Sequence, residues 1–356
     1  MTLSSTLADI EKKLQSQPQL WVVTGCAGFI GSHILESLLR AEQKVIGIDS
    51  LITGHEHNLD QVRQIVGETC WKNFQWIKGD INELPLHEIF HGAKAIFHQA
   101  ALGSVPRSIE HPLATNQHNI EGTLKVLRGA HESKTYRVIY ASSSSVYGDS
   151  EGLPKVEDHI GKPLSPYAVS KRTNALYAQT FSLTYDLETI GLRYFNVFGP
   201  RQDPKGPYAA VIPRWISKVA NGSQVQIYGD GSTSRDFCYV KNVVKANLLA
   251  ATAELSRGSH HILNVGAGDT TSLNTLFERM KLIFSEWNSK LVHSEKEHLD
   301  FRPGDIKHSL ADISLAKKIL GYSPDYNVSD GLKETIHYFL TKPVEAQSHK
   351  NTNTPL

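Results

Sequence analysis

Cysteine, net charge and long apolar runs are all scarce in this chain, and each scarcity closes off a class of protein. Only Cys26, Cys70 and Cys238 are present, far apart and odd in number. That excludes a disulfide framework and predicts a reducing compartment. The 37 basic and 36 acidic side chains leave a net charge of +1. No broad basic field is available for nucleic acid, so any anion must be held by a local site. No run approaches the roughly 20 apolar residues of a membrane span, and no signal peptide is visible. A cytoplasmic protein with no membrane partner is the expectation. Internal repeats are also missing, and low complexity is confined to the tail.

What is there is an ordinary globular composition, 40% hydrophobic and 21% charged over 356 residues, enough for one large or two modest domains. Short apolar runs alternate with helical patterns through the first half. Strands are predicted at Leu20–Thr24, Val45–Ile48, Phe74–Ile77, Ala95–His98, Val138–Ser142 and Glu188–Arg193, with Ile262–Val265 returning to the same sheet. Helices are predicted at Ile30–Leu39, Asn119–Ala130 and Tyr167–Tyr185. Nearly continuous apolar strands alternating with helices specify an α/β fold, a doubly wound parallel sheet covered on both faces. After Asn196 glycine and proline become frequent, which suits a smaller mixed α/β domain. The expected division is a helical extension over 1–19, a dinucleotide-binding domain from 20–195 and 236–268, a substrate domain from 196–235 and 269–342, and a disordered tail over 343–356.

Thr24-Gly25-Cys26-Ala27-Gly28-Phe29-Ile30-Gly31 follows the first strand and opens the first helix. Gly25 permits a tight turn, Gly28 lets a pyrophosphate approach the backbone, and Gly31 lets the helix pack on the sheet. A packed turn alone could need the same glycines. Asp49 ends the second strand, where a carboxylate can bind both ribose hydroxyls, and no Arg or Lys follows at once to hold a 2′-phosphate. NAD is therefore expected over NADP. Asp80, with Ile81 after it, reads either as an adenine contact or as a helix N-cap.

Tyr167 and Lys171 stand four apart on one predicted helix face, behind Ser165-Pro166, a cap followed by proline in the first turn. A nearby ammonium favours a phenolate and would lower a tyrosine pKa from about 10. The pair alone could be an amphipathic surface helix. Ser143 at the end of an upstream strand adds a third polar group.

With these pieces in place, the chain resembles the extended short-chain dehydrogenase/reductase family and, within it, the UDP-sugar 4-epimerases. The resemblance runs from about residue 20 to 341, through Gly25–Gly31, Asp49, Gly79-Asp80, His98–Ala101, Asn119–Thr123, Ser142–Gly148, Pro166–Lys171, Leu192–Asn196, Gly231–Tyr239 and Arg302–Asp305. Ala100–Ser108 and Tyr208–Trp215 are similar to bacterial UDP-N-acetylhexosamine 4-epimerases of polysaccharide pathways. The resemblance implies that Tyr167 exchanges a proton with the sugar 4-hydroxyl, that Ser143 hydrogen-bonds the 4-oxygen, and that Lys171 holds the nicotinamide ribose. It places Gly25, Gly28, Phe29, Ile30, Gly31, Asp49, Asp80, Ile81, Gln99, Ala100, Ala101, Asn119, Tyr194 and Val197 beside a retained NAD. For UDP it implies Asn196, Arg235 and Arg302 on the diphosphate, Asp305 on the ribose, and Tyr228, Ala210 and Val211 around the uracil. In isolation Arg235-Asp236 would read as a surface ion pair; after the Gly-Asp-Gly-Ser-Thr-Ser run the diphosphate contact is favoured.

Ser309 falls where related epimerases carry a bulky tyrosine or a small residue, and the small one leaves room for a 2-N-acetyl group. Ser144, Ser145, Gly103 and Ser104 could hydrogen-bond that group, or the first two could be turn residues. UDP-GlcNAc/UDP-GalNAc is favoured, with the 6-carboxylated sugars and UDP-glucose/UDP-galactose as alternatives. Dehydratases of this superfamily carry an acidic pair where Ser144 and Ser145 stand, so elimination chemistry is not expected. The family also implies a homodimer, pairing Leu113–His131 and Tyr167–Tyr185 into a four-helix bundle. Two rivals come from other classes. His87-Glu88-Ile89-Phe90-His91 matches H-E-x-x-H, but it lies where a covering helix is expected, so no metal is assigned. A non-catalytic nucleotide-sugar binder would not need Ser143, Tyr167 and Lys171 together.

Overall fold

A computed structural model describes residues 5–204, 209–287, 295–301 and 307–341. Seven parallel strands form the main sheet: β1 (Leu20–Thr24), β2 (Lys44–Asp49), β3 (Phe74–Lys78), β4 (Ala95–His98), β5 (Arg137–Ser143), β6 (Glu188–Tyr194) and β9 (His260–Val265). Their order is β3-β2-β1-β4-β5-β6-β9, so the winding reverses between β1 and β4. That reversal opens a crevice at the carboxyl ends of the strands. In-register pairing sets Thr24 beside Ile48 and His98, and Ser143 beside Tyr194.

Both sheet faces are dry. On one, Ile34, Leu35 and Leu38 of the helix Phe29–Arg40 meet Val243, Leu248 and Ala251 of the helix Val240–Thr252. Leu14 from the N-terminal helix and Leu320 from the helix Ser314–Leu320 close the same cluster, although the second comes late in the chain. On the other face, Val126, Leu127 and Ala178 pack with Phe90 over Val138 and Tyr140. A separate core gathers Trp215, Phe277, Met280, Leu332 and Ile336 from three helices, beside the short ribbon of β7 (Val225–Tyr228) with β11 (Lys296–Leu299). A second ribbon pairs β8 (Ser234–Arg235) with β10 (Thr271–Ser272).

Two elements depart from the sequence expectation. The helix Glu56–Trp71 between β2 and β3 has weak amphipathicity and is interrupted by Gly67 at φ +76°, so it carries little periodic signal. The stretch expected as one helix over Asn119–Ala130 starts in π-helix, Asn116–Glu121, and becomes α only over Gly122–Glu132. Expectations for Tyr208, Arg302, Asp305 and the 343–356 tail lie outside the described residues.

Candidate active site

The carboxyl ends of the strands open into a cleft of about 600 Å³. Its floor is the turn from β1 into the helix Phe29–Arg40. Gly25 has φ +74°, and a Cβ there would lie 2.7 Å from Ala100 N. A Cβ on Gly31 would lie 2.0 Å from Gly25 O, so helix and turn touch through bare backbone. The turn presents N–H groups at a helix N-terminus, the local arrangement that holds an anion.

Asp49 ends β2 on the cleft wall. Its Oδ2 accepts from Ala27 N at 2.9 Å and its Oδ1 from Leu51 N at 2.8 Å. Burial pushes the carboxyl upward, and those N–H groups pull against the shift. Each oxygen keeps a lone pair for a ligand hydroxyl. Asp80 lines the cleft and caps no helix: its Oδ1 accepts from Asn82 N at 2.8 Å in a turn, and the next helix begins only at Leu86.

At the other end stand Tyr167 and Lys171, on the helix Pro166–Tyr185. Ser165 caps that helix, its Oγ accepting from Ala168 N at 3.1 Å. Lys171 Nζ donates to Ala141 O at 2.8 Å, and burial lowers its pKa to about 8. Burial pushes the Tyr167 phenol up, while a hydrogen bond from Ser143 acts the other way. The lowering expected from the Lys171 ammonium is not found: desolvation governs the phenol and raises it. Ser143 ends β5, and its Oγ also accepts from Ser145 N at 3.1 Å.

Behind the cleft, His98 bridges Thr24 Oγ1 at 2.8 Å and Thr123 Oγ1 at 3.0 Å. Thr123 uses its own proton on Asn119 O, so His98 donates from Nε2 and accepts at Nδ1. Burial, with Lys171 nearby, lowers its pKa to about 3. Neutral imidazole ties β1, β4 and the helix Gly122–Glu132 together.

Gly25, Gly28, Phe29, Ile30, Gly31, Asp49, Asp80, Ile81, Gln99, Ala100, Ala101, Tyr167, Lys171 and Tyr194 all line the cleft, as do Gly103, Ser104 and Ala210. Two residues singled out for NAD do not. Asn119 is fully buried; its amide grips Leu102 N and O and Ser170 Oγ, so it positions the 99–103 loop from behind. Val197 packs between two apolar clusters. Val211 and Tyr228 also lie off the lining, at the start of the helix Val211–Ala220 and the end of β7.

The residues expected around a diphosphate form a second group. Asn196 Nδ2 donates to Asp236 O, Arg235 Nη1 donates to Ser234 O and Lys307 O, and Ser309 N donates to Ser234 O. Asp236 is no surface partner. It is buried, its pKa raised to about 6, and it accepts from the N–H groups of Ala267, Gly268 and Ala311. The sequence reading missed His55, Arg107, Gln202 and Asp203 on the cleft wall; their places after strand ends were the available signal. The H-E-x-x-H run lies on a helix of only four residues, Leu86–Ile89, so His91 falls past its end. Among the described residues no group of three His, Cys, Asp or Glu side chains is placed to hold a metal.

The fit to a dinucleotide rests on the cleft itself: glycines that a Cβ would block, a carboxylate at the end of β2, and Ser142, a lining residue whose buried Oγ has no protein partner. The family model described as NAD dependent epimerase/dehydratase matches residues 21–266. A UDP-N-acetylglucosamine 4-epimerase from Methanobrevibacter ruminantium, solved with UDP-N-acetylmuramic acid, is 41% identical with a TM-score of 0.83, covering 91% of this chain and 99% of its own. A UDP-glucose 4-epimerase from Thermotoga maritima, solved with UDP-glucose, is 33% identical with a TM-score of 0.81, covering 90% and 99%. A UDP-glucuronate 4-epimerase from Thermodesulfobacterium geofontis is 32% identical, over 89% of this chain and 95% of the relative.

Proposed function

The chain belongs to the NAD dependent epimerase/dehydratase family, and we propose that it inverts C4 of UDP-N-acetylglucosamine and UDP-N-acetylgalactosamine through Tyr167. The coarser activity, UDP-sugar 4-epimerisation with NAD, follows from kinship over nearly the whole chain. The observation that carries the reading is Tyr167 and Lys171 on the cleft lining with Ser143 hydrogen-bonded to Tyr167, and with serines and no carboxylate directly after Ser143.

When bound, NAD supplies hydride transfer at the sugar C4. The protein does the rest. The glycine turn and the N-terminus of the helix Phe29–Arg40 hold the pyrophosphate, and Asp49 holds a ribose. Tyr167 takes the proton from the 4-hydroxyl as the 4-keto sugar forms and returns it after the sugar has turned over. Ser143 holds the 4-oxygen. Lys171, anchored on Ala141 O, holds the nicotinamide ribose. Arg235 and Asn196 anchor UDP, so that the sugar can rotate against a fixed handle.

Ser309 and the serines after Ser143 support the N-acetylated sugar. Ser309 is small, and Ser145 Oγ is buried without a protein partner, which an acetamido group could satisfy. NMR of the sugar C4 signals, with UDP-GlcNAc, UDP-glucose and their uronic acids as separate substrates, tests the reading. Equilibration of UDP-GlcNAc without added reductant is expected. Conversion of another sugar alone moves the specificity, and unchanged sugars with bound NAD overturn the epimerase reading.

A homodimer is part of the same proposal. Leu113, Val169, Leu176 and Leu183 are exposed on the helices expected to pair, and burying them against a second copy would remove that apolar face from water. Light scattering is expected to give twice the chain mass.

A further inference from the structure

The segment leaving β6 for the second core is tied down at a cost that stability alone does not require. Arg201 sits at φ +62°, a conformation that L side chains hold only when their surroundings over-determine it. Its side chain is 2% exposed. Nη2 donates to Glu36 Oε2 at 2.7 Å and to His33 Nδ1 at 2.5 Å. Arginine can only donate, so His33 accepts at Nδ1 and donates from Nε2 to Pro200 O at 2.9 Å. Burial and the Arg201 charge hold His33 well below its ordinary pKa, which keeps the imidazole neutral and the relay fixed. Buried ion pairs of this kind seldom stabilise more than apolar residues of equal volume, and they are better at fixing position.

What is positioned lies in the cleft. His33 and Glu36 belong to the helix Phe29–Arg40, whose first turn forms the glycine cradle. Gln202 and Asp203, next after Arg201, line the cleft. Asp203 Oδ2 lies 3.7 Å from His55 Nε2, and His55 N donates to Ala27 O in the cradle. The segment is thus held to the helix behind the cradle by the Arg201 relay, and its Asp203 lies beside His55 on the cleft lining.

We propose that Arg201, with His33 and Glu36, clamps residues 199–204 against the cofactor cleft and so retains NAD between turnovers. The inference rests on the NAD-dependent reading above. An epimerase returns the hydride it removes, so the cofactor gains nothing by leaving. A desolvated, strained clamp that slows exchange suits that chemistry.

The test measures exchange of bound NAD for a fluorescent etheno-NAD in the purified full chain, beside the unfolding midpoint. Arg201→Met and Glu36→Gln are each expected to speed exchange at least tenfold. Asp203→Asn changes a half-exposed side chain and leaves the buried relay in place; it is expected to speed exchange two- to fivefold. A merely structural staple would lower the unfolding midpoint of the buried variants and leave exchange at the parent rate, and that result overturns the proposal. Parent-like exchange in Asp203→Asn overturns it where the buried variants fail to fold. A parent chain that neither carries nor takes up NAD overturns the cofactor reading, and the clamp with it.

Discussion

Lys171 Nζ lies 5.8 Å from the centre of the Tyr167 ring, and its hydrogen bond goes to the Ala141 carbonyl. The lysine is therefore held in place by the sheet, one helical turn beyond the phenol. Two consequences can be measured separately, one at each residue.

Tyr167→Phe keeps the ring and removes the proton carrier. Turnover is expected to fall by about 10²–10⁴-fold, the usual contribution of a positioned acid or base. Bound NAD, measured by absorbance after denaturation, should stay at the parent level. Loss of both together would place Tyr167 in cofactor binding instead of proton transfer.

Lys171 is expected to trade stability for function. Its folded pKa is about 8 against an ordinary 10.5, so between those values the unfolded chain holds more protons. Stability then rises with pH across that window, and the ammonium's cost is fully present below it. That cost is about 3 kcal/mol, partly offset by about 1 kcal/mol for the bond to Ala141. Lys171→Met should therefore abolish turnover yet stabilise the NAD-free protein by about 1–2 kcal/mol at pH 7. The gain should vanish above pH 10.5, as urea denaturation at several pH values would reveal.

Gly31→Ala sets two effects against each other. Alanine in a helix usually gains about 0.5–1 kcal/mol over glycine. Here the added carbon would meet Gly25 O at 2.0 Å, and forcing helix and turn apart costs about 1–3 kcal/mol. The clash wins. A lower unfolding midpoint and at least tenfold weaker NAD binding are expected by calorimetry.

Ser309→Tyr addresses the sugar. The N-acetylated substrate should lose at least tenfold in kcat/KM while UDP-glucose is spared, read in parallel NMR assays. Equal loss on both would mean that the position supports the Ser234 strand and does not choose the sugar.

The strands and the glycine turn were legible because their signals are local: period, apolar runs, and glycine where a Cβ has no room. The Tyr167–Lys171 pair was legible for the same reason, since four residues make one helical turn. Tyr167's ionisation was not. Whether a neighbouring cation or desolvation governs a phenol depends on packing from β5 and β6, which no spacing reveals. Asn119 was misplaced because a motif position says which residues cluster but not which way the amide faces. Arg201 escaped notice because its partners, His33 and Glu36, stand 168 and 165 residues earlier in the chain.

The π-helical stretch Asn116–Glu121 has a consequence for how this sequence can vary. Wide turns of this kind behave like an extra residue inserted into a helix. Removing one residue would relax the stretch to ordinary α-helix, leave its two flanks in register, and displace the side chains that the wide turn itself presents. Asn119 and Thr123, which hold the 99–103 loop and His98, could then no longer face the sheet together. A one-residue deletion anywhere in the stretch should not be tolerated. In a comparison of descendants of this gene, the length of this segment would drift far more slowly than its letters.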